Sequence, residues 1–376
     1  ERPKISKQTL LQRSTLENMM GLRIPNKKFW KNKKIFLTGH TSFKASWFKL
    51  WLEILGAKVT GYSLNYPSNP KCLYKIFYKE KLIKESILNY KKLKKKIILT
   101  KPKIVFHFAA QSILSDANKK PIENYKTNII GTAGILEACY YSKNTKLVVI
   151  VTTDKCYEEN PKKKFYDEKS TLGGSEPYSA SKACAELISK SYLNKYKKVN
   201  KKIITLRAGN VIGGGDWKKN RLVPDIFRAI LSRSSLLIRN PNHIRPWQHV
   251  LDCINGYLIA SEYSYNKNIT FNSWNFAPPL KNQIKVLKFV NILFERFQIK
   301  KNKIIIKNKN KFYESRKLNL ISNKAKKDLK WNTVLSQNKV IDFIYEWYSN
   351  YQKKKNMKTF SIYQIKKFCK IASLNK

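Results

Sequence analysis

The chain has 376 residues, enough for one large α/β domain or two moderate ones, and an apolar content of 42% that excludes a disordered chain. No apolar run reaches the ~18 residues needed to span a bilayer, and the first twenty residues lack the apolar core of a signal peptide, so a soluble cytoplasmic protein with no membrane partner is expected. Its 76 basic and 24 acidic residues give a net charge of +52, yet the excess is Lys spread along the whole chain. Without a helix-turn-helix, zinc-finger or RNA-recognition signature, this argues against a specific nucleic-acid function and for nonspecific adherence to polyanions.

The first element is KKIFLTG (33–39), an apolar run that reads as a buried strand. Apolar spacing in SWFKLWLEILG (46–56) predicts a helix ended by Gly56, and AKVTGYSL (57–64) predicts a second strand. Together they make a βαβ unit of the size of a mononucleotide-binding half. After a Lys-rich polar segment come the strand KIVFHFAA (103–110), a long helix over 121–142, the strand KLVVIVTT (146–153), a helix over 177–196, and KIITLRAGNVIG (202–213). Strands that are almost wholly apolar and alternate with helices predict a Rossmann-type doubly wound parallel sheet covered on both faces. Beyond Gly213, LVPDIFRAILS, LLIRN and FNSWNFAP suit a smaller C-terminal lobe. The expected division is an N-terminal extension (1–28), a dinucleotide-binding domain (29–210), a substrate lobe (211–355, partly interleaved) and a basic tail (356–376). Met19 or Met20 is a candidate start.

The loop FLTGHTSFKASW (36–47) looks like a dinucleotide loop that retains only its first glycine, Gly39. Ser42 and Ala45 stand at the second and third positions. A Cβ at Ser42 is expected to hold the pyrophosphate off the backbone and weaken binding, whereas Ala45 is a mild change. The strongest chemical signal is Tyr178-Ser-Ala-Ser-Lys182. Residues four apart share a helix face, and an ammonium beside a phenol favours tyrosinate, a base near neutral pH. In so Lys-rich a chain the spacing alone is weak; its place after a strand ending Thr152-Thr153-Asp154 gives it meaning. Six scattered cysteines without a CxxC pair suggest reduced thiols, and four dispersed histidines suggest no metal site. His107, inside a strand, and His249 are read as structural.

This order of motifs resembles the extended short-chain dehydrogenase/reductase superfamily. FHFAAQS, TTDKCYEEN, LGGSEPYSASKACAE, RAGNVIGGGDW, IRPWQHV and the weaker FYESRKLNLISNKAKKDLKW resemble, within it, the NAD-dependent CDP-glucose 4,6-dehydratases, over about 29–351. The resemblance implies an internal redox cycle on CDP-glucose. Tyr178 removes the 4-hydroxyl proton as hydride passes from C4 to NAD, the 4-ketone acidifies C5–H, water leaves from C6, and hydride returns to C6. Thr153 is implied to bond the 4-oxygen and Asp154 to protonate the leaving hydroxyl. Lys155 stands where other sugar-nucleotide dehydratases carry a Glu base. It either accepts the C5 proton, which requires a lowered pKa, or orients Asp154 and stabilises the enolate.

The cofactor contacts implied are Gly39, Thr41, Ser42, Phe43 and Lys44 in the loop, Ala109, Ala110 and Gln111 after the third strand, and Thr152, Tyr178 and Lys182. Arg245, Asn210 and Arg221 are implied for the substrate diphosphate. Two departures weaken the cofactor site: Ser86-Ile-Leu-Asn89 lacks the acidic residue that reads adenine, and Tyr62-Ser63-Leu64 has no carboxylate for the ribose. The resemblance also implies pairing of copies through the two long helices, as a dimer or tetramer. It further implies a product feeding dideoxyhexose synthesis for a surface polysaccharide such as O-antigen.

Overall fold

The structure is a computed structural model that describes residues 22–67, 72–79, 84–280, 283–299, 304–306 and 319–374. Six parallel strands form the central sheet. β1 (Lys34–Thr38), β2 (Lys58–Tyr62), β3 (Ile104–His107), β4 (Leu147–Val151), β5 (Lys202–Ala208) and β6 (Phe271–Phe276) lie in the order β2-β1-β3-β4-β5-β6. The order reverses between β1 and β3, and an open parallel sheet holds its ligand at that switch point, beyond the carboxyl ends of the strands. β3 and β4 are buried at every residue, as strands covered on both faces must be. Beyond β2 a single parallel bridge, Ser63 to Lys84, starts a further edge.

α1 (Phe43–Ile54), α2 (Tyr90–Thr100), α3 (Gly131–Tyr141), α4 (Pro177–Ser191) and α5 (Val250–Asn266) flank the sheet. α4 begins where it does because Glu176 accepts from the Tyr178 and Ser179 amides (2.9 and 2.7 Å) and Pro177 fills the first helical position. This cap fixes the turn that carries Tyr178.

Three expectations change. The long helix predicted over 121–142 is a helix (Pro121–Tyr125), a π-helical turn (Lys126–Ile130) and α3. π turns arise where a side chain is re-aimed, and here Asn128 reaches Gln111 and Ser181. FNSWNFAP, expected in the smaller lobe, supplies β6 and pairs in parallel with β5. The stretch 356–376, expected as a tail, forms the helix Met357–Leu374. Met357, Ile365, Phe368 and Ala372 are buried along its core-facing stripe, with Phe368 edge-on to Trp51 of α1 at 5.6 Å and Ser361 accepting from Trp347. Each large apolar side chain so buried is worth about 1.5–3 kcal/mol, enough to seat the helix despite its lysines. Most of the extension 1–28, and FYESRKL of the C-terminal motif, lie outside the described residues. No helix among the described residues is long and apolar enough to cross a membrane.

Candidate active site

The loop after β1 turns at Gly39, whose φ of +66° suits glycine and whose Cβ, were there one, would stand 2.7 Å from the Ala109 nitrogen. Ser42 is different. Its φ of −71° and ψ of 159° are extended backbone open to any residue, and it serves as the N-cap of α1 without a side-chain capping bond. Serine thus stands there without backbone strain, and Ala45 is fully buried. α1 therefore presents its first amides and its positive dipole end beside the loop, as a pyrophosphate requires. Ser63, where a carboxylate was missed, lies 2.8 Å from His40 Nδ1 and accepts from the Thr41 amide at 3.4 Å. Asn89 of the altered adenine segment caps α2 through the Lys92 amide at 3.2 Å. Lys44 Nζ donates to Tyr257 at 3.3 Å.

Across the cleft, Ala109 donates to Thr38 Oγ1 (3.3 Å) and Gln111 to Asn128 Oδ1 (2.9 Å). Asn128 in turn donates to the Gln111 carbonyl (3.0 Å) and Ser181 Oγ (2.9 Å), tying the loop after β3 to α4. Asn128 was not legible as a site residue, since its partners are distant in sequence. A cleft of 280 Å³ opens between Thr41, Ser42 and Phe43 on one side and Gly215, Asp216 and Arg221 on the other, floored by Ala110 and Gln111. A larger hollow of 560 Å³ lies elsewhere, among Ile76, Leu231, Tyr351 and Met357; neither hollow is lined by Asp154, Tyr178 or Lys182, and it is the smaller one that the β1 loop lines.

The turn after β4 meets the start of α4. Thr153 Oγ1 donates to Asp154 Oδ1 (2.9 Å) and accepts from the Lys155 amide (3.4 Å). Burial pushes the Asp154 carboxyl up, against the opposing pull of Lys155, the Thr153 bond and Arg245. That net direction suits a proton donor. Gly209 makes room for the carboxylate: a Cβ there would stand 2.7 Å from Asp154 Oδ2. Lys155 is half-buried beside it.

Tyr178 is buried, and burial pushes its phenol above the ordinary value while Thr153 and Arg221 pull it down. Lys182 donates to the Val151 carbonyl at 3.2 Å. Burial lowers its pKa to about 8, helped by the Lys44 charge and opposed by Glu186. The cation acting on Lys182 is Lys44, at the start of α1.

The implied diphosphate residues are dispersed around this centre. Arg221 donates to Asp216 (3.0 Å) and Ser112 (3.2 Å) at the cleft mouth. Arg245 lies near enough to act on Asp154 and touches His243 Nδ1 at 2.9 Å. Asn210 is exposed, its carbonyl accepting from the Gln248 amide. His107 bridges Thr38 (2.8 Å) and Thr132 (3.3 Å), and burial lowers its pKa to about 3; His249 accepts from the Leu251 amide and is lowered likewise. Both are structural. Thr152 donates to Glu186, part of a buried network that also escapes sequence reading.

The protein-family model described as NAD dependent epimerase/dehydratase family matches residues 35–272. The CDP-glucose 4,6-dehydratase of Salmonella typhimurium is 37% identical over 86% of this chain and 92% of its own length. Among solved structures, a UDP-glucose 4-epimerase from Thermotoga maritima with UDP-glucose aligns with a TM-score of 0.74 at 22% identity, covering 85% of this chain and 99% of the other. A dTDP-glucose 4,6-dehydratase from Bacillus anthracis in complex with NAD aligns with a TM-score of 0.69 at 23% identity, covering 85% and 97%. The folds agree across these structures, and the sequence match runs through both the cofactor loop and the Tyr178 helix. The chain belongs to the NAD dependent epimerase/dehydratase family.

Proposed function

We propose that this chain is a hydro-lyase that converts CDP-glucose to CDP-4-keto-6-deoxyglucose, with NAD as a recycled cofactor. One observation carries the reading: a buried carboxyl biased toward its protonated form, Asp154, stands beside Thr153 and within electrostatic reach of Tyr178. Epimerisation needs only a base that takes and returns the 4-hydroxyl proton; expelling water from C6 needs an acid as well. The loop fits NAD by its own geometry, since Gly39 brings the backbone against Ala109 and α1 offers uncapped amides. Gly39, Thr41, Ser42, Phe43 and Lys44 would hold the pyrophosphate side, with Ala109, Ala110, Gln111 and Thr152 lining the path to Tyr178 and Lys182. When bound, NAD would supply the acceptor for hydride from C4 and the donor of hydride to C6, and the positive charge of its ring would favour the ionised Tyr178 phenol.

Tyr178 takes the 4-hydroxyl proton, with Thr153 bonding the same oxygen. Lys182, one turn along the same helix face, would lend positive charge to a phenol that burial holds above its ordinary value. Asp154 gives its proton to the departing C6 hydroxyl, and Lys155 takes the proton from C5 and returns one there once hydride has reached C6. Arg221 exchanges Asp216 for the diphosphate, and Arg245 and Asn210 complete the anion site of the lobe 211–355. Ile122 (63% exposed), Ile130 (60%) and Leu187 (54%) are exposed apolar side chains of the stretch 121–141 and of α4, which pack against each other, and a second copy would cover them. The check is turnover of purified protein with the CDP, dTDP, UDP and GDP forms of glucose. Loss of one water with CDP-glucose at the highest kcat/KM is expected. No dehydrated product from any of the four contradicts the reading, and a monomer by light scattering contradicts the pairing.

A further inference from the structure

The turn that carries Thr153, Asp154 and Lys155 is gripped at both ends by one ion pair. Immediately before it, Thr152 donates to Glu186 Oε1. Immediately after it, Arg207 Nη1 donates to the Tyr157 hydroxyl at 2.7 Å, and that hydroxyl donates onward to Asn275 Oδ1 at 2.7 Å. Glu186 and Arg207 are joined by a fork, Nε to Oε1 at 2.9 Å and Nη2 to Oε2 at 2.7 Å. Both side chains are almost wholly buried, at 1% and 4% exposure. Burial alone would push the Glu186 carboxyl up, yet Arg207 and the surrounding hydrogen bonds hold it below its ordinary range. The pair therefore stays charged.

A buried ion pair is weak evidence for stability, because apolar residues of similar volume often serve as well. What apolar residues cannot do is receive the Thr152 hydroxyl and hold the Tyr157 hydroxyl along fixed directions. The topology makes those directions count. Glu186 rides on α4 one turn beyond Lys182, so it shares a helix face with that lysine. Arg207 rides on β5, and Asn275 on β6. Separate elements thus converge on one pair, and the only residues between its two grips on the turn are 153–156.

We propose that Glu186 and Arg207 are positioning residues that clamp the turn at Thr152 and Tyr157 and so set the reach of Asp154 and Lys155 toward C5 and C6 of the sugar. This rests on the dehydratase reading. Tyr178 has a second support in the Glu176 cap, which Asp154 and Lys155 lack, so loosening the clamp slows elimination more than oxidation. Misplacement of about 1 Å can cost about 100-fold in rate.

The decisive variant is Tyr157→Phe, which removes one grip and leaves the ion pair intact. Its kcat with CDP-glucose should fall about tenfold or more, with KM and NAD affinity unchanged. Rapid mixing should show reduced nicotinamide accumulating transiently, a signal weak or absent in the unaltered enzyme. Arg207→Lys, which keeps the charge and loses the fork, should accumulate it too; its thermal melt shows whether it folds, and if it does not, Tyr157→Phe alone decides. Unchanged kcat in Tyr157→Phe, or a fall without accumulation of reduced nicotinamide, overturns the clamp. Absence of turnover in the unaltered enzyme overturns the dehydratase reading instead, so the two failures are distinct.

Discussion

Two loops at the same edge of the sheet differ in what supports the part that meets the ligand. The turn after β4 is surrounded by side-chain bonds: Thr153 to Asp154, Thr152 to Glu186, and Arg207 to Tyr157. The loop after β1 has side-chain ties at its flanks, His40 to Ser63 and Thr41 to the Asn65 carbonyl, but its turn rests on the positive φ of Gly39 and the N-terminus of α1, and the Ser42 hydroxyl makes no capping bond. The difference follows from what each must hold. A proton donor has to be aimed, which takes directed side-chain contacts. A pyrophosphate is met by main-chain amides, which survive changes of side chain. The loop can therefore lose two of three glycines and keep its geometry.

That contrast can be broken by mutation. Replacing Tyr178 by Phe removes the general base and should lower kcat about 1,000-fold while the fold and NAD binding persist; steady-state turnover and NAD titration check it. Gly39→Ala should come next. Its Cβ has no room against Ala109 and the backbone is left-handed there, so NAD affinity, read by fluorescence titration, should fall at least about tenfold. A smaller effect concerns pH. Lys182, lowered to about 8 by burial and then by Lys44, is protonated below that value, so kcat should decline as pH rises through it. Lys44→Gln removes one cation and should move the alkaline limb upward; an unmoved or lowered limb would sink this assignment. Ser42→Gly is expected to do least. Because Ser42 already adopts an extended backbone and its hydroxyl makes no capping bond, the exchange leaves the loop's conformation in place, and NAD affinity should change less than about threefold, within about 0.7 kcal/mol. A large tightening would show that the serine does obstruct the pyrophosphate.

Much of this was legible before the structure. β1, β3, β4 and β5 announce themselves as apolar runs, and Tyr178 and Lys182 are marked by their distance from Thr153 and Asp154. What stayed hidden depends on partners far apart in sequence. Asn128 gains its place only through Gln111 and Ser181, and no helical periodicity reports the π turn that it sits in. FNSWNFAP is recognisable as a strand, but its apolar pattern does not say that β5 is its neighbour. In the helix Met357–Leu374 the stripe Met357, Ile365, Phe368 and Ala372 is masked by intervening lysines. Arg207 reads as one more cation in a chain of net charge +52, although its guanidinium is fully engaged. The backbone conformation of Ser42, open to any residue, is likewise not written in the sequence.

The central claim is that one active site oxidises C4, eliminates water across C5 and C6, and returns the same hydride. CDP-glucose carrying deuterium at C4 tests it most directly, by mass spectrometry and NMR of the product. The account predicts a 4-keto-6-deoxy product, one water lighter, with the deuterium now at C6 and no net consumption of NAD. Product with the deuterium lost to solvent or retained in released reduced nicotinamide, or unaltered CDP-glucose after incubation with saturating NAD, would contradict it.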